Sequence, residues 1–512
     1  MRLNRRDVLK TMGGAVSALA LSRIARAQAA QGAPFAATRH ALQSYQIPDW
    51  YRDAKFGIWA HWGPQSAIER GDWYARNMYI QGQEQYLYHT EHYGHPTKVG
   101  YKDVVDEWKA AKWDPDHLMS LYKKAGAKYF VSMGVHHDNF DLWDSKYSRW
   151  NSVKMGPKRD IVGTWQKAAQ KLGLRFGVSE HLWISYKWWA VSHGADKTGP
   201  LAGVPYDGTD PNFEDLYHDA DCARLGENFE WNDNDIPDSW KRHYLDRMTD
   251  LIDKYKPDFL YTDGHLPFED VGLKMVSHLY NVSAQLHGGN VESVYTSKTD
   301  SDCAIGTCLL DHERGVSEGI SKNPWQTDTC IGQWHYSRGQ KYKSAKKVID
   351  LLADIVSKNG NLLLNFPLPN SGELDFEEMV TLNGITDWMQ INSEGIYSSR
   401  PWKIYGEGPA TKAKVATGNF NEDKQKDLTA EDVRFTQKGS SVYAFVMGCP
   451  EKQAVVQALG LASPQAPGKI LNVELLGSKG KVNWKQDDDA LKVEMPAEKI
   501  SEIGITLKVD LA

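Results

Sequence analysis

The sequence predicts an α/β fold, a (β/α) barrel of the TIM type followed by a C-terminal β-sandwich, and three observations carry the prediction. From about Trp50 to Trp402, short apolar runs alternate with longer segments of helical periodicity, the pattern of a parallel sheet with helical crossovers. Imidazoles and carboxylates gather where the apolar runs stop, the rim at which barrel enzymes keep their chemistry. Beyond Trp402 the hydrophobic period changes to two, with turn residues between the runs, as in a sandwich.

Residues 1–30 read as a twin-arginine export signal. Asn4-Arg5-Arg6-Asp7-Val8-Leu9-Lys10 precedes an apolar, small-residue run from Met12 to Leu21, and Ala25-Arg26-Ala27 has the small-x-small form of a cleavage site. An ordinary secretory signal shares the charge and the apolar run; either reading sends the mature chain out of the cytoplasm, to the periplasm or the medium. The run is short and broken by glycine, and no later stretch is long and uncharged, so no membrane contact is expected once the signal is removed.

Residues 31–402 are expected to form the catalytic barrel. Its strands are read at Phe56-Gly57-Ile58-Trp59-Ala60, Tyr129-Phe130-Val131-Ser132-Met133, Leu174-Arg175-Phe176-Gly177-Val178, Phe259-Leu260-Tyr261 and Asn361-Leu362-Leu363-Leu364-Asn365, with helices over Ile161 to Leu172 and Ser344 to Ser357. The stretch from Ser185 to Asp238, rich in Gly, Pro, Asp and Asn, is too long for an ordinary loop and reads as rim decoration. Residues 403–512 are expected to be the sandwich, with strands at Val433 to Thr436, Val442 to Val446, Val473 to Leu476 and Leu491 to Met495. Such an appendage binds glycan or braces the barrel; bracing is the favoured reading.

Composition excludes several classes. A net charge of −6 with no basic block removes the electrostatic source that nucleic-acid binding requires. Nineteen Trp and 24 Tyr in a polar chain suit a wet cleft lined by flat rings. Five cysteines are too few for a disulfide framework, none forms a CxxC pair that would suggest structural zinc, and one bridge, for example Cys303 to Cys308, stays open.

The strand ends hold the candidate chemistry. Lys256-Pro257-Asp258-Phe259-Leu260-Tyr261-Thr262-Asp263-Gly264 places Asp263 where an apolar strand breaks into a glycine turn. A rigid, partly desolvated carboxylate there suits a nucleophile, although Asp-Gly is also a common turn dipeptide. His61-Trp62-Gly63-Pro64 follows the first strand, with Asp72-Trp73 shortly after; His136-His137-Asp138 ends the second and Glu180-His181 the third. A metal is the rival reading of these histidines. Successive residues of an extended strand point to opposite sides, so His136 and His137 are not expected to grip one ion.

With those residues in place, the chain resembles glycoside hydrolase family 29, the retaining α-L-fucosidases. The likeness runs in family order through Trp50 to Gly57, His61 to Pro64, His136 to Asp138, Asn151-Ser152-Val153, Gly156 to Asp160, Tyr261 to Gly264 and Ser357 to Asn365. The resemblance implies a barrel with a β-sandwich, no cofactor, no metal, and Asp263 as nucleophile. It also implies that His61, Asp72, Trp73, His136 and His137 hold the sugar hydroxyls, with Trp334 against the carbon-6 methyl; the strand-end residues Glu180 and Tyr261 are counted with them as substrate-binding candidates. Asp72 stands where the family usually has Glu, and Tyr261 where Trp is common.

For the acid/base, Pro324-Trp325-Gln326 offers Gln in place of a glutamate, and Gln cannot transfer a proton. Glu313, at the end of an apolar strand in Leu310-Asp311-His312-Glu313-Arg314, is the candidate, with Asp311 and Glu318 as alternatives. Arg314 must then point away, because an adjacent cation would depress the pKa of an acid that needs it raised. The implied activity is exo-acting release of L-fucose from fucosylated oligosaccharides or polysaccharides by double displacement through a fucosyl-aspartyl intermediate. An α-L-galactosidase on the same scaffold, a catalytically silent glycan-binding protein and a metal-dependent hydrolase are the competing readings.

Overall fold

The computed structural model describes residues 35–226, 232–303, 306–413 and 418–512; the export signal expected at 1–30 lies outside the described residues. Eight parallel strands close a barrel in sequence order: β1 (Phe56–Ala60), β2 (Tyr129–Val135), β3 (Arg175–Glu180), β4 (Phe259–Thr262), β5 (Val294–Ser297), β6 (Leu309–Glu313), β7 (Trp325–Cys330) and β8 (Gly360–Asn365). Closure comes from β8 against β1, with Phe56 opposite Leu362 and Trp59 opposite Asn365. Two of these strands, β5 and β7, escape the apolar-run reading because their buried residues are polar. On β7, Gln326 accepts the Tyr51 hydroxyl (2.8 Å) and donates to Asp311 (2.7 Å), and Thr327 donates to the Gly315 carbonyl (2.7 Å). Satisfied in this way, they cost the interior little.

The helices that wrap the barrel begin where short polar side chains satisfy free amides. Asp160 caps Ile161–Lys171 through the Gly163 N–H, and Ser344 caps Ala345–Ser357 through Lys347. Long helices also follow β3 (Asp238–Tyr255) and β4 (Asp270–Leu286). Among its described residues, the connection from β5 to β6 carries one helical turn, Asp300–Cys303, and a Cys303–Cys308 disulfide. The insertion over 185–238 consists, among its described residues, of single helical turns and no strand. No helix of the described residues is long and apolar enough to cross a membrane.

Strand parity decides which side chains reach the site. Trp59, Tyr129, Val131, Phe259, Tyr261, Leu309 and Leu363 form a cluster inside the barrel, while Phe176, Val178 and Leu260 join the larger core towards the helices. Side chains alternate along a strand. Those two places beyond an inward residue, such as His61 after Trp59 and Asp263 after Tyr261, therefore open on the axis at the rim.

After β8 and the helix Phe376–Asn392, strands β9 (Arg400–Glu407), β10 (Val433–Lys438), β11 (Ser441–Val446), β12 (Gln453–Val456), β13 (Ile470–Leu475), β14 (Trp484–Gln486), β15 (Leu491–Glu494) and β16 (Ile505–Leu511) make a five-stranded sheet, β13-β16-β11-β10-β9, and a three-stranded one, β12-β15-β14. The first strand of this sheet thus spans the boundary expected at 402. The domain has its own apolar core around Trp402, Phe435 and Leu507. Tyr443 and Phe445 are packed into the barrel's core instead. Trp388 donates to the Gly504 carbonyl (3.1 Å), and Asp354 pairs with both Arg434 (2.6 Å) and Lys358 (2.7 Å). These contacts hold the sandwich against the barrel.

Candidate active site

The rim encloses a cavity of about 300 Å³. It is lined by His61, Asp72, Trp73, His136, Tyr261, Asp263, Glu313 and Trp334 from the expected set, and by Trp59, His181, Lys298, Asp328 and Phe420 in addition.

Asp263 leaves β4 just before Gly264, whose φ of 125° is open to glycine and whose missing Cβ leaves room for the Trp183 ring. Trp183 donates its indole N–H to the Asp263 carbonyl (2.7 Å), fixing the turn. The carboxylate receives Lys298 Nζ on Oδ1 (2.5 Å) and His181 Nδ1 on Oδ2 (3.0 Å), with His137 Nε2 at 3.4 Å. Burial alone would raise its pKa; Lys298 and the histidines outweigh burial and hold it well below the ordinary carboxylate range. Asp263 is therefore ionised.

Glu313 ends β6. Its Oε2 meets the same Lys298 Nζ at 2.6 Å, and its Oε1 accepts the Trp334 indole N–H at 3.2 Å. Burial pushes its pKa up to about 7; Lys298 opposes the rise, and the charges of Asp328 and Asp263 add to it. Arg314 does turn away: its guanidinium lies over the Trp334 ring, 5.1 Å from the centroid, and donates to the Gly332 carbonyl (3.0 Å). Of the alternatives, Asp311 is buried inside the barrel against Gln326 and Glu318 is exposed; neither lines the cavity. Lys298 itself is held well above its ordinary pKa, because the pull of Asp263 and Glu313 exceeds the effect of burial.

The opposite wall is built of imidazoles. His61 lies 4.9 Å from His136, 4.9 Å from His181 and 4.5 Å from His335, ring to ring. Neither of its ring nitrogens has a hydrogen-bond partner among the described residues. Burial holds His61 and His136 well below the ordinary histidine pKa and lowers His181 to about 4. These rings are neutral, so each presents one donor and one acceptor rather than a charge. His335 bonds Asp72 Oδ1 (2.6 Å) and Gln65 bonds His136 Nδ1 (2.7 Å), which orients both. Trp73 sits in a left-handed conformation, φ 60°, with its ring edge-on to His137. Tyr261 donates to Asp328 Oδ2 (3.0 Å) in the cavity floor.

Two expectations are corrected by this geometry. Glu180 was expected on the sugar; it pairs in register with Thr262 and faces away from the axis. There it accepts the Thr262 hydroxyl (2.6 Å), the Tyr244 hydroxyl (2.9 Å) and the Leu182 N–H (3.0 Å), and His181 takes the cavity position by parity. His136 and His137 were expected to diverge. The register of β2 shifts between Met133 and Val135 and the strand ends at Val135, so alternation lapses and the two rings lie 4.2 Å apart. His61, Asp72, His136 and His335, and separately His136, His137 and His181, bring ligand atoms within 4.8 Å of one another. Zinc–nitrogen bonds of roughly 2.0–2.1 Å set tighter spacings, about 3.4 Å along a tetrahedral edge. A transition ion would need these side chains to close in.

A (β/α) barrel with an ionised carboxylate and a near-neutral one facing each other at its C-terminal rim has the machinery of a glycoside hydrolase. The α-L-fucosidase family model matches residues 22–394, and the α-L-fucosidase C-terminal domain model matches residues 425–510. The chain belongs to the α-L-fucosidase family of glycoside hydrolases. It is 27% identical to the human tissue α-L-fucosidase over 469 residues, 89% of this chain and 86% of that one. The rat enzyme is likewise 27% identical, over 87% and 85%. The fold matches that of Thermotoga maritima α-fucosidase with a TM-score of 0.69 at 24% identity, covering 93% of this chain and 100% of that one.

Proposed function

We propose that this enzyme releases L-fucose from the ends of fucosylated glycans with net retention at the anomeric carbon. The observation that carries the reading is the lysine bridge. Because one ammonium touches both carboxylates, Asp263 Oδ1 and Glu313 Oε2 are no more than about 5.1 Å apart, the sum of the two contacts. Retaining glycosidases place their carboxyl groups roughly 5–5.5 Å apart, whereas inverting ones leave roughly 6.5–9.5 Å for a water.

In the first step Asp263 attacks the anomeric carbon, the bond to the leaving oxygen breaks, and Glu313 gives that oxygen its proton. In the second, water attacks the same carbon, Glu313 takes the water's proton, and the bond to Asp263 breaks to free the sugar. Lys298 stays charged throughout. It pairs with Asp263 at rest and with Glu313 once the ester has consumed the charge on Asp263, so one carboxylate always balances it. The neutral imidazoles and Asp72 bind the hydroxyls, and the flat ring of Trp334 covers the carbon-6 methyl, which a galactose hydroxyl would make costly to bury.

Export through the twin-arginine leader is part of the same proposal. The Cys303–Cys308 bridge supports it, because such bonds persist in oxidising compartments. The test is inactivation with a 2-fluoro-fucosyl fluoride followed by peptide mapping, together with NMR of the first-formed anomer. The reading requires the label on Asp263 and the α-anomer first. A β-anomer, or a label elsewhere, overturns it.

A further inference from the structure

The connection between β9 and β10 of the sandwich reaches the mouth of the cavity, through a segment that lies outside both family-matched regions. Asn421 and Glu422 are its anchors, each only 1% exposed. Asn421 Oδ1 accepts the Val316 N–H (3.0 Å), and Glu422 Oε2 accepts the Thr329 hydroxyl (2.7 Å). The backbone runs alongside the end of β6. Phe420 N–H donates to the Glu313 carbonyl (2.7 Å), and Asn419 Oδ1 accepts the Glu313 N–H (3.1 Å).

Between anchors so deeply buried, Phe420 is 59% exposed and lines the cavity. Its φ is 54°, a left-handed conformation that a bulky residue rarely adopts and that is a reason to look for function. An exposed ring in a disfavoured conformation contributes little to folding. Its place in the site gives it another use. Glu313 must touch the departing oxygen, so the leaving group lies on the Glu313 side of the cavity, towards solvent. The Phe420 backbone is bonded to Glu313 itself, and the residue is exposed where it lines the cavity.

We infer that Phe420 is the stacking platform for the leaving-group sugar, a pyranose whose apolar face covers the ring. This rests on the fucosidase reading above and makes the enzyme selective for glycosyl over minimal leaving groups. The β9–β10 connection, rather than the sheets of the sandwich, then supplies the C-terminal domain's contact with substrate.

The test compares an α-L-fucosyl disaccharide with α-L-fucosyl fluoride, whose leaving group is a single atom, in the full-length enzyme. Phe420→Gly deletes the ring at a backbone angle that glycine accepts freely, so the variant is expected to fold with an unchanged or higher Tm. It should lose about tenfold in kcat/KM on the disaccharide relative to its change on the fluoride, a loss of the size expected for one aromatic stack. Phe420→Trp should restore the ratio. Equal loss on both substrates, or no rescue by Trp, overturns this inference alone. Wild-type enzyme that turns over neither substrate overturns the fucosidase reading and this one with it.

Discussion

The two walls of the cavity are built on opposite electrostatic plans. On the side of β4, β5 and β6 the charged Asp263 and the titrating Glu313 both lie within hydrogen-bond distance of the Lys298 ammonium. On the side of β1, β2 and β3 burial strips His61, His136 and His181 of charge. Where bonds change, charge must be present and compensated at each stage. Where a neutral sugar is only held, a charged ring would pay desolvation without a partner. The same buried rim therefore raises one acid, lowers another, and neutralises three imidazoles.

The charged wall should be the more sensitive. Glu313→Gln keeps the shape and deletes the proton, so kcat/KM on a disaccharide should fall roughly 10²–10⁴-fold, the usual worth of general acid–base catalysis. On the proposed mechanism the acid form of Glu313, with a pKa of about 7, is the active one. Activity should therefore decline as pH rises through 7, and that limb should vanish in the variant. A limb that persists in Glu313→Gln would assign it to another group.

Lys298→Met should cost about 10²-fold, comparable with losing one preorganised donor. The loss of the cation removes an influence that lowers both carboxyls, so the alkaline limb should move to higher pH and a new acid limb should appear as Asp263 protonates. An unshifted pH profile would show that the ammonium does not bridge the two groups in solution.

On the neutral wall, the proposed function gives His61 a single hydroxyl contact, which His61→Ala removes. It should cost about 1–3 kcal/mol of transition-state binding, read as a drop in kcat/KM without movement of either pH limb. A shifted limb would mean that His61 titrates with the catalytic pair.

The smallest catalytic effect is expected at Glu180, behind the wall. Glu180→Gln turns an amide N–H₂ towards the Leu182 N–H, which should cost about 1–3 kcal/mol of stability while KM stays put. The Glu180 pKa is raised by burial to about 7 from 4.5. The folded state thus holds this proton more tightly than the unfolded chain, and wild-type stability from this group falls as pH rises from about 4.5 through 7. Denaturant titrations should show that slope flattened in the variant; a changed KM with unchanged stability would put Glu180 back on the sugar.

Several of these residues were legible in the chain itself. Apolar runs marked β1 to β4, β6 and β8, and the strand-end position marked His61, Asp263 and Glu313. Parity could have gone further. In β3, Ser179 pairs with the inward Tyr261, so His181, two places on, had to face the axis and Glu180 could not. Lys298, one residue beyond β5, follows the same logic but sat after a strand too polar to notice. The Asp72–His335 bond, between residues 263 apart in sequence, had no local signal. Phe420 lay in the β9–β10 connection, which no periodicity describes.

By itself, then, the sequence determined what local physics can encode: the hydrophobic period that makes barrel and sandwich, and the side-chain alternation that aims strand-end residues at the axis. Only the tertiary structure decided which of those residues meet. Closing β8 on β1 converts alternation into proximity, setting Lys298 between two carboxylates and bringing Phe420 to the mouth. The pKa values that divide their roles come from burial and charge, which exist only once distant segments are assembled.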